Sequence, residues 1–250
     1  MSAGSKHVCY ALMNHSSKEI VEFGYYALQS DNDFATIFSG NKIFTDQYPQ
    51  SVICFNVAGC VLVPAEFFRA ENAEMQINVV CGDADEPVLL TDYLQALNIY
   101  IIYKVPFLLH TAATKRFNAD KFRNINSVLL NQYAGNKEET ILIDFRTDEF
   151  SVIVFKNKLL QLAQTFIYFS PEDVLYSLLK ICRQLNLPQQ DVHVSIAGLV
   201  DKDSAMYREL HKYFIHLEFE EPPGAVKIAE ELNMYPHHYY STICKLASCV

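Results

Sequence analysis

The sequence predicts an α/β fold in two halves, each a mixed sheet flanked by helices. Three observations carry this. Residues 140–200 read as three consecutive strands, a helix and a buried strand that ends at a glycine. The residues before 136 follow a comparable order of hairpin, helix, strand and helix. Between them lies the polar turn Gly135-Asn136-Lys137-Glu138-Glu139, the best boundary in the chain, which divides it into 1–136 and 137–250.

Bulk properties limit the function classes. A chain of 250 residues, half apolar and one fifth charged, buries a large core. A net charge of −9 argues against a nucleic-acid backbone or an anionic membrane as the main partner, since both require clustered Lys and Arg. The densest basic group, Lys115, Arg116, Lys121 and Arg123, reads as a solvated helix face. No apolar run is long enough to span a membrane, and the first residues do not read as a secretory signal, so a cytoplasmic address is expected. Seven cysteines without a C-x-x-C pair fit that address, with Cys54, Cys60 and Cys182 as small core residues.

In the first half, residues 6–13 and 19–28 are rich in β-formers around the turn Asn14-His15-Ser16-Ser17 and predict a hairpin. Ser30-Asp31-Asn32-Asp33 offer oxygens to cap a short helix that Gly40 ends. The run 51–63, broken at Ala58-Gly59, predicts two short paired strands, and Pro64 is suited to open a helix through AEFFRA. Residues 82–87 read as a loop and 98–103 as a buried strand. Pro106 opens an apolar helix, and a second helix is expected over about 120–132.

In the second half, 140–145, 149–155 and 159–168 predict an antiparallel meander with tight turns. Ser170-Pro171-Glu172-Asp173 is a helix start, with Ser170 as cap, Pro171 in the first turn and two acids at the positive end of the dipole. Val174, Leu175, Leu178, Leu179, Cys182 and Leu185 then give one buried stripe, and Pro188 stops it. Residues 192–197 form a short central strand ended by Gly198, 204–213 a helix and 215–219 a strand. Pro222-Pro223-Gly224 closes the unit, and the tail holds short helices around His237-His238. This order resembles a ribonuclease-H-like half-domain.

The run DFATIFSG (33–40), Tyr48-Pro49 before a strand, Val61-Leu62-Val63-Pro64 before Phe67-Phe68, and 141–155 followed by Ser170-Pro171-Glu172-Asp173-Val174-Leu175-Tyr176 resemble the DUF3822 family of uncharacterised Bacteroidetes proteins. The resemblance covers about 8–220. It implies an actin-like ATPase fold, two ribonuclease-H-like halves around a cleft, and no established activity. More distantly the layout is similar to pilus-assembly and cell-division members of the actin-like group.

An actin-like site for Mg²⁺-ATP would need glycine-bearing strand turns against the phosphates, carboxylates for the metal and a glycine pair for adenosine. The turn 14–17 has neither acid nor glycine; its Ser hydroxyls are the remaining candidates to touch phosphate there. Asp144-Phe145-Arg146 keeps the acid of an Asp-x-Gly pattern and replaces the glycine by arginine. Arg146 is either a phosphate fork or the partner of Asp144 in a surface pair at the hairpin. Ala197-Gly198 stands where a Gly-Gly is expected, so Gly198 is either an adenosine contact or a structural turn. These departures make a non-catalytic interaction or scaffold protein, with a protein partner or self-association, the leading expectation. No cofactor is expected. A divergent ATP-binding protein using the 144–148 turn is the alternative. Adjacent His237 and His238 lack a third ligand for a metal. His193 is expected on the less buried side of its strand, Glu218-Glu221 as a solvated acidic end, and the fifteen Tyr either as core or as interface.

Overall fold

The structure is a computed structural model, and it describes residues 1–4, 6–29, 33–82, 86–117, 121–133 and 139–248, without the side chains of 35, 116 and 121. The cap expected at 30–32, residues 83–85 of the 82–87 loop and the turn at 134–138 lie outside the described residues. The chain divides into two compact units, Met1–Gln132 with Lys245–Val250, and Tyr133–Cys244.

The first unit opens with β1 (Ser2–Gly4), β2 (His7–Asn14) and β3 (Glu19–Ala27), continues through α1 (Asp33–Gly40), α2 (Lys42–Thr45) and β4 (Val52–Asn56), and closes with α4 (Phe107–Arg116), β8 (Lys121–Asn124) and α5 (Ile125–Tyr133). Its strands run in the order β3-β2-β1-β4-β8. β1 is antiparallel to β2 and parallel to β4, and β4 is parallel to β8. All five residues of β4 are buried, as expected of a central parallel strand covered on both faces.

Between β4 and α4 stands an insertion: β5 (Cys60–Pro64), α3 (Ala73–Cys81), β6 (Val88–Leu94) and β7 (Ile99–Val105). Its antiparallel sheet has the order β5-β7-β6, and Val63, Ala73, Ile77 and Ile102 form its core. Two expectations are corrected here. The run 51–63 does hold two strands, but they belong to different sheets, because the break at 58–59 carries the chain out of the main sheet. Pro64 ends β5 instead of opening a helix: β5 is an edge strand, where a missing N–H is tolerated, and the helix starts at Ala73. Residues 121–124, expected as helix, form β8. Asp92 of β6 fastens the insertion to the unit. It is buried and accepts from the Asn124 amide at 2.7 Å, the Tyr103 hydroxyl at 3.2 Å and the Ser127 hydroxyl. The Asn124 and Ser127 bonds satisfy donors at the start of α5.

The second unit holds β9 (Thr140–Phe145), β10 (Glu149–Lys156), β11 (Leu159–Ile167), α6 (Pro171–Leu185), β12 (His193–Gly198), α7 (Ala205–His211) and β13 (Leu217–Phe219), followed by the two-residue strand Lys227–Ile228, 3₁₀ turns at 230–232 and 237–239 and residues 241–244 of α8 (Ser241–Ala247). The strand order β11-β10-β9-β12-β13 repeats that of the first unit strand for strand. β9 is antiparallel to β10 and parallel to β12, which is parallel to β13. α6 starts with the predicted cap: Ser170 Oγ accepts from the Asp173 amide, and the Asp173 carboxylate accepts from the Ser170 amide at 3.0 Å. Its buried face is Val174, Leu175, Leu178, Ile181 and Cys182, set against β9, β10 and β12. Each fully buried aliphatic side chain there contributes about 1.5–3 kcal/mol. The helix ends at Leu185, before Pro188. Asn186 turns left-handed at φ 51°, and Lys156 Nζ donates to the Leu185 and Asn186 carbonyls at 2.8 and 2.9 Å.

The one-to-one topology also corrects the first-half turn. The connection that matches Arg146–Asp148 is the one between β1 and β2, not 14–17. The turn 14–17 matches Asn157-Lys158, and Asn14 Oδ1 organises it by accepting from the Ser16 and Ser17 amides at 3.0 and 3.3 Å.

Candidate functional site

In an open sheet of this type ligands meet the carboxyl ends of the parallel strands. In the second unit those ends are Asp144 and Phe145 on β9, Gly198 on β12 and Phe219 on β13. Ala197 lies opposite Asp144 and Gly198 opposite Phe145 in the parallel register, so all three sequence-predicted residues are brought to one edge.

Asp144 and Arg146 do pair, at 2.9 Å between Oδ2 and Nη1, but they are not on the surface: their exposures are 8% and 5%. The guanidinium is shared among three partners. Nε donates to Glu149 Oε1 at 2.8 Å, Nη1 to Asp144 and Nη2 to Ser151 Oγ at 2.7 Å. Ser151 is held in turn by Thr165, with 2.8 Å between hydroxyl oxygens. The other Asp144 oxygen accepts from Thr242 Oγ1 at 3.0 Å. The turn itself is closed by the Arg146 amide on the Glu149 carbonyl and by the Tyr168 hydroxyl, which donates to the carbonyls of Arg146 and Thr147 at 2.9 and 3.2 Å. A buried network of this kind is held only when each polar group has its partner.

Gly198 has a structural cause. Its φ is +83°, and a Cβ there would lie 2.0 Å from the Phe145 carbonyl oxygen. The close approach lets the Leu199 amide donate to that oxygen at 2.9 Å.

Sequence reasoning missed the tail. Residues 238–242 reach the same edge at four points. His238 is buried, stacks on Phe219 with centroids 4.1 Å apart, and has Nε2 2.8 Å from the Val200 carbonyl. Burial holds its imidazole below the ordinary value of 6.5, with the Val200 bond, Asp201 and Glu221 opposing. The Tyr239 hydroxyl donates to Asp201 at 2.7 Å, and burial, reinforced by that carboxylate, pushes its phenol up to about 12. Ser241 Oγ donates to Glu220 at 2.7 Å, and Thr242 to Asp144. No local pattern announces this, because the partners are separated by up to 98 residues.

His237 and His238 have separate partners: the ring of His237 is 3.1 Å from Asn233 Oδ1. Among the described residues no three His, Cys, Asp or Glu side chains gather into a metal set. His193 is exposed, as its alternation predicts, and stacks on His216 at 4.9 Å. Cys54 and Cys182 are buried, whereas Cys60 is half-buried and Cys81 exposed. The tyrosines divide: Tyr103 and Tyr240 are core, Tyr235 is exposed.

The model of the family described as a protein of unknown function (DUF3822) matches residues 1–217. The chain belongs to the DUF3822 family. A Bacteroides thetaiotaomicron protein of unknown function with an actin-like ATPase fold is similar to it at a TM-score of 0.82 and 16% identity, over 100% of this chain and 94% of that one. PilM in the PilM–PilN type IV pilus biogenesis complex is similar at 0.62 and 9% identity, over 99% of this chain and 96% of that one. No curated protein matches this DUF3822 chain. The fold of this DUF3822 protein is therefore the actin-like ATPase fold, with two ribonuclease-H-like sheets of matching topology. Among the described residues no helix is long and apolar enough to cross a membrane.

Proposed function

We propose that this DUF3822 protein is a non-catalytic interaction protein, an actin-like frame that works by binding another protein and not by turning over ATP. The observation that carries the reading is the network around Asp144. Both carboxylate oxygens already accept hydrogen bonds, and Arg146 points into the protein toward Asp144, Glu149 and Ser151. A Mg²⁺–triphosphate does not fit these side chains as they stand. The phosphates need donors turned outward, whereas those of Arg146 are turned inward. Freeing Arg146 would leave half-buried Glu149 and buried Asp144 without their counter-charge, a cost of about 3 kcal/mol or more. The tail adds to this, since Thr242 and Tyr239 hold two of the carboxylates at the edge. PilM, whose fold is similar, occurs in a complex with PilN, which supports the reading.

Isothermal titration of the purified chain with Mg²⁺-ATP tests the reading. The expected trace is flat. A micromolar, Mg²⁺-dependent isotherm that Asp144→Ala abolishes without unfolding the protein would overturn it in favour of a divergent ATP-binding protein.

A further inference from the structure

We propose that the outer face of α3, with the turn that precedes it, docks a basic amphipathic helix of a partner protein. The proposal rests on the interaction reading above and names its surface and the chemistry of the partner.

Helix α3 is apolar on two sides. Ala73 and Ile77 face the core of the insertion, against Val63 and Ile102. On the other side Met75 and Val79, one turn apart, are 61% and 82% exposed. Phe67, 64% exposed, belongs to the same surface, because Gln76 of α3 donates to the Phe67 carbonyl at 3.1 Å. An ordinary surface helix presents polar residues there. Three large exposed apolar side chains, Met75, Val79 and Phe67, mark an interaction surface.

Charge selects the partner. Between residues 66 and 86 the sequence has six carboxylates and one basic residue. Glu66, Glu71 and Glu74 are exposed around the apolar stripe, and none makes an ion pair among the described residues. The single base, Arg69, is turned back on the chain, with Nη1 donating to the Glu66 and Phe68 carbonyls at 3.1 and 2.7 Å. An apolar stripe with an acidic rim is complementary to apolar residues flanked by Lys and Arg. A second copy would set acid against acid, and an anionic lipid surface would be repelled. The spacing of Met75 and Val79 is that of a helical ridge, which packs against another helix.

The test uses the full chain and a synthetic amphipathic helix of leucine and lysine, roughly 14 residues long, with binding read by fluorescence anisotropy. The expected result is saturable one-to-one binding. It weakens at least about tenfold in Met75→Ser/Val79→Ser, and again in Glu71→Gln/Glu74→Gln, with circular dichroism unchanged because all four side chains are exposed. Cys81, exposed at the end of α3, should be alkylated more slowly when the peptide is bound. Three results would overturn the proposal: no saturable binding, equal binding by the Met75/Val79 variant, or equal binding of a leucine–glutamate helix. A dimer of the parent chain that Val79→Ser dissociates would also overturn it, by assigning the face to a second copy. Each of these leaves the Mg²⁺-ATP titration unaffected, so the two readings fail separately.

Discussion

The Thr242 hydroxyl donates to Asp144 at 3.0 Å across 98 residues of chain, and so ties the start of α8 to the end of β9. The same carboxylate is the counter-charge of buried Arg146. Asp144→Ala removes both bonds and leaves the guanidinium with Glu149 as its one carboxylate among these partners. The expected loss is about 3 kcal/mol, read as a lower urea midpoint at unchanged slope. Asp144→Asn, which keeps the shape and one acceptor, should lose less.

Gly198 sits at φ +83° against the Phe145 backbone. Gly198→Ala forces backbone apart and not merely a side chain, so it should destabilise by about 2–4 kcal/mol. A Gly198→Ala chain as stable as the parent would remove the structural account of this glycine.

His238 makes stability depend on pH. Its folded value lies below the ordinary 6.5, so the unfolded chain binds the proton more readily. Its contribution is fully present above about 6.5 and is lost as pH falls through that value toward the lower folded one. Urea midpoints should therefore drop between neutral and mildly acid pH, and His238→Gln should flatten the drop. His110, also lowered by burial, adds a second slope that this variant leaves in place.

The box at Ser170 is a local device with a local price. Ser170→Ala should cost about 1 kcal/mol, and the double variant with Asp173→Ala should cost less than the two single losses added, since the residues cap each other. Thermal unfolding of the three variants measures this.

Where structure follows from neighbours in sequence, it was legible. The meander 140–168, the cap at Ser170 and the stripe from Val174 to Cys182 depend on alternation, turn chemistry and helical spacing within a few residues. What failed depends on partners. β1 is three residues long and has no periodicity to detect. The break at 58–59 marks a strand end but not that the next strand joins another sheet. Without β1 the sequence shows no strand before His7, so 14–17 reads as the loop that matches Arg146–Asp148. Asp144 and Arg146 pair as expected but are buried and not on the surface, and one partner of Asp144, Thr242, lies on a distant segment. The tail contacts are side-chain meetings at the ends of strands, which no spacing rule encodes.

The insertion enters and leaves at neighbouring points. Cys60 of β5 pairs with Tyr103 of β7, and the Lys104 amide donates to the Gly59 carbonyl at 3.0 Å. Such a segment is an interchangeable cartridge: its backbone can be swapped at one seam while the frame around it keeps its strand order. Asp92 is the latch. A transplanted replacement for 57–106 must bring its own acceptor for the Asn124 amide and the Ser127 hydroxyl, or α5 begins with an unanswered donor. That acceptor is then the one feature each version of the cartridge has to supply.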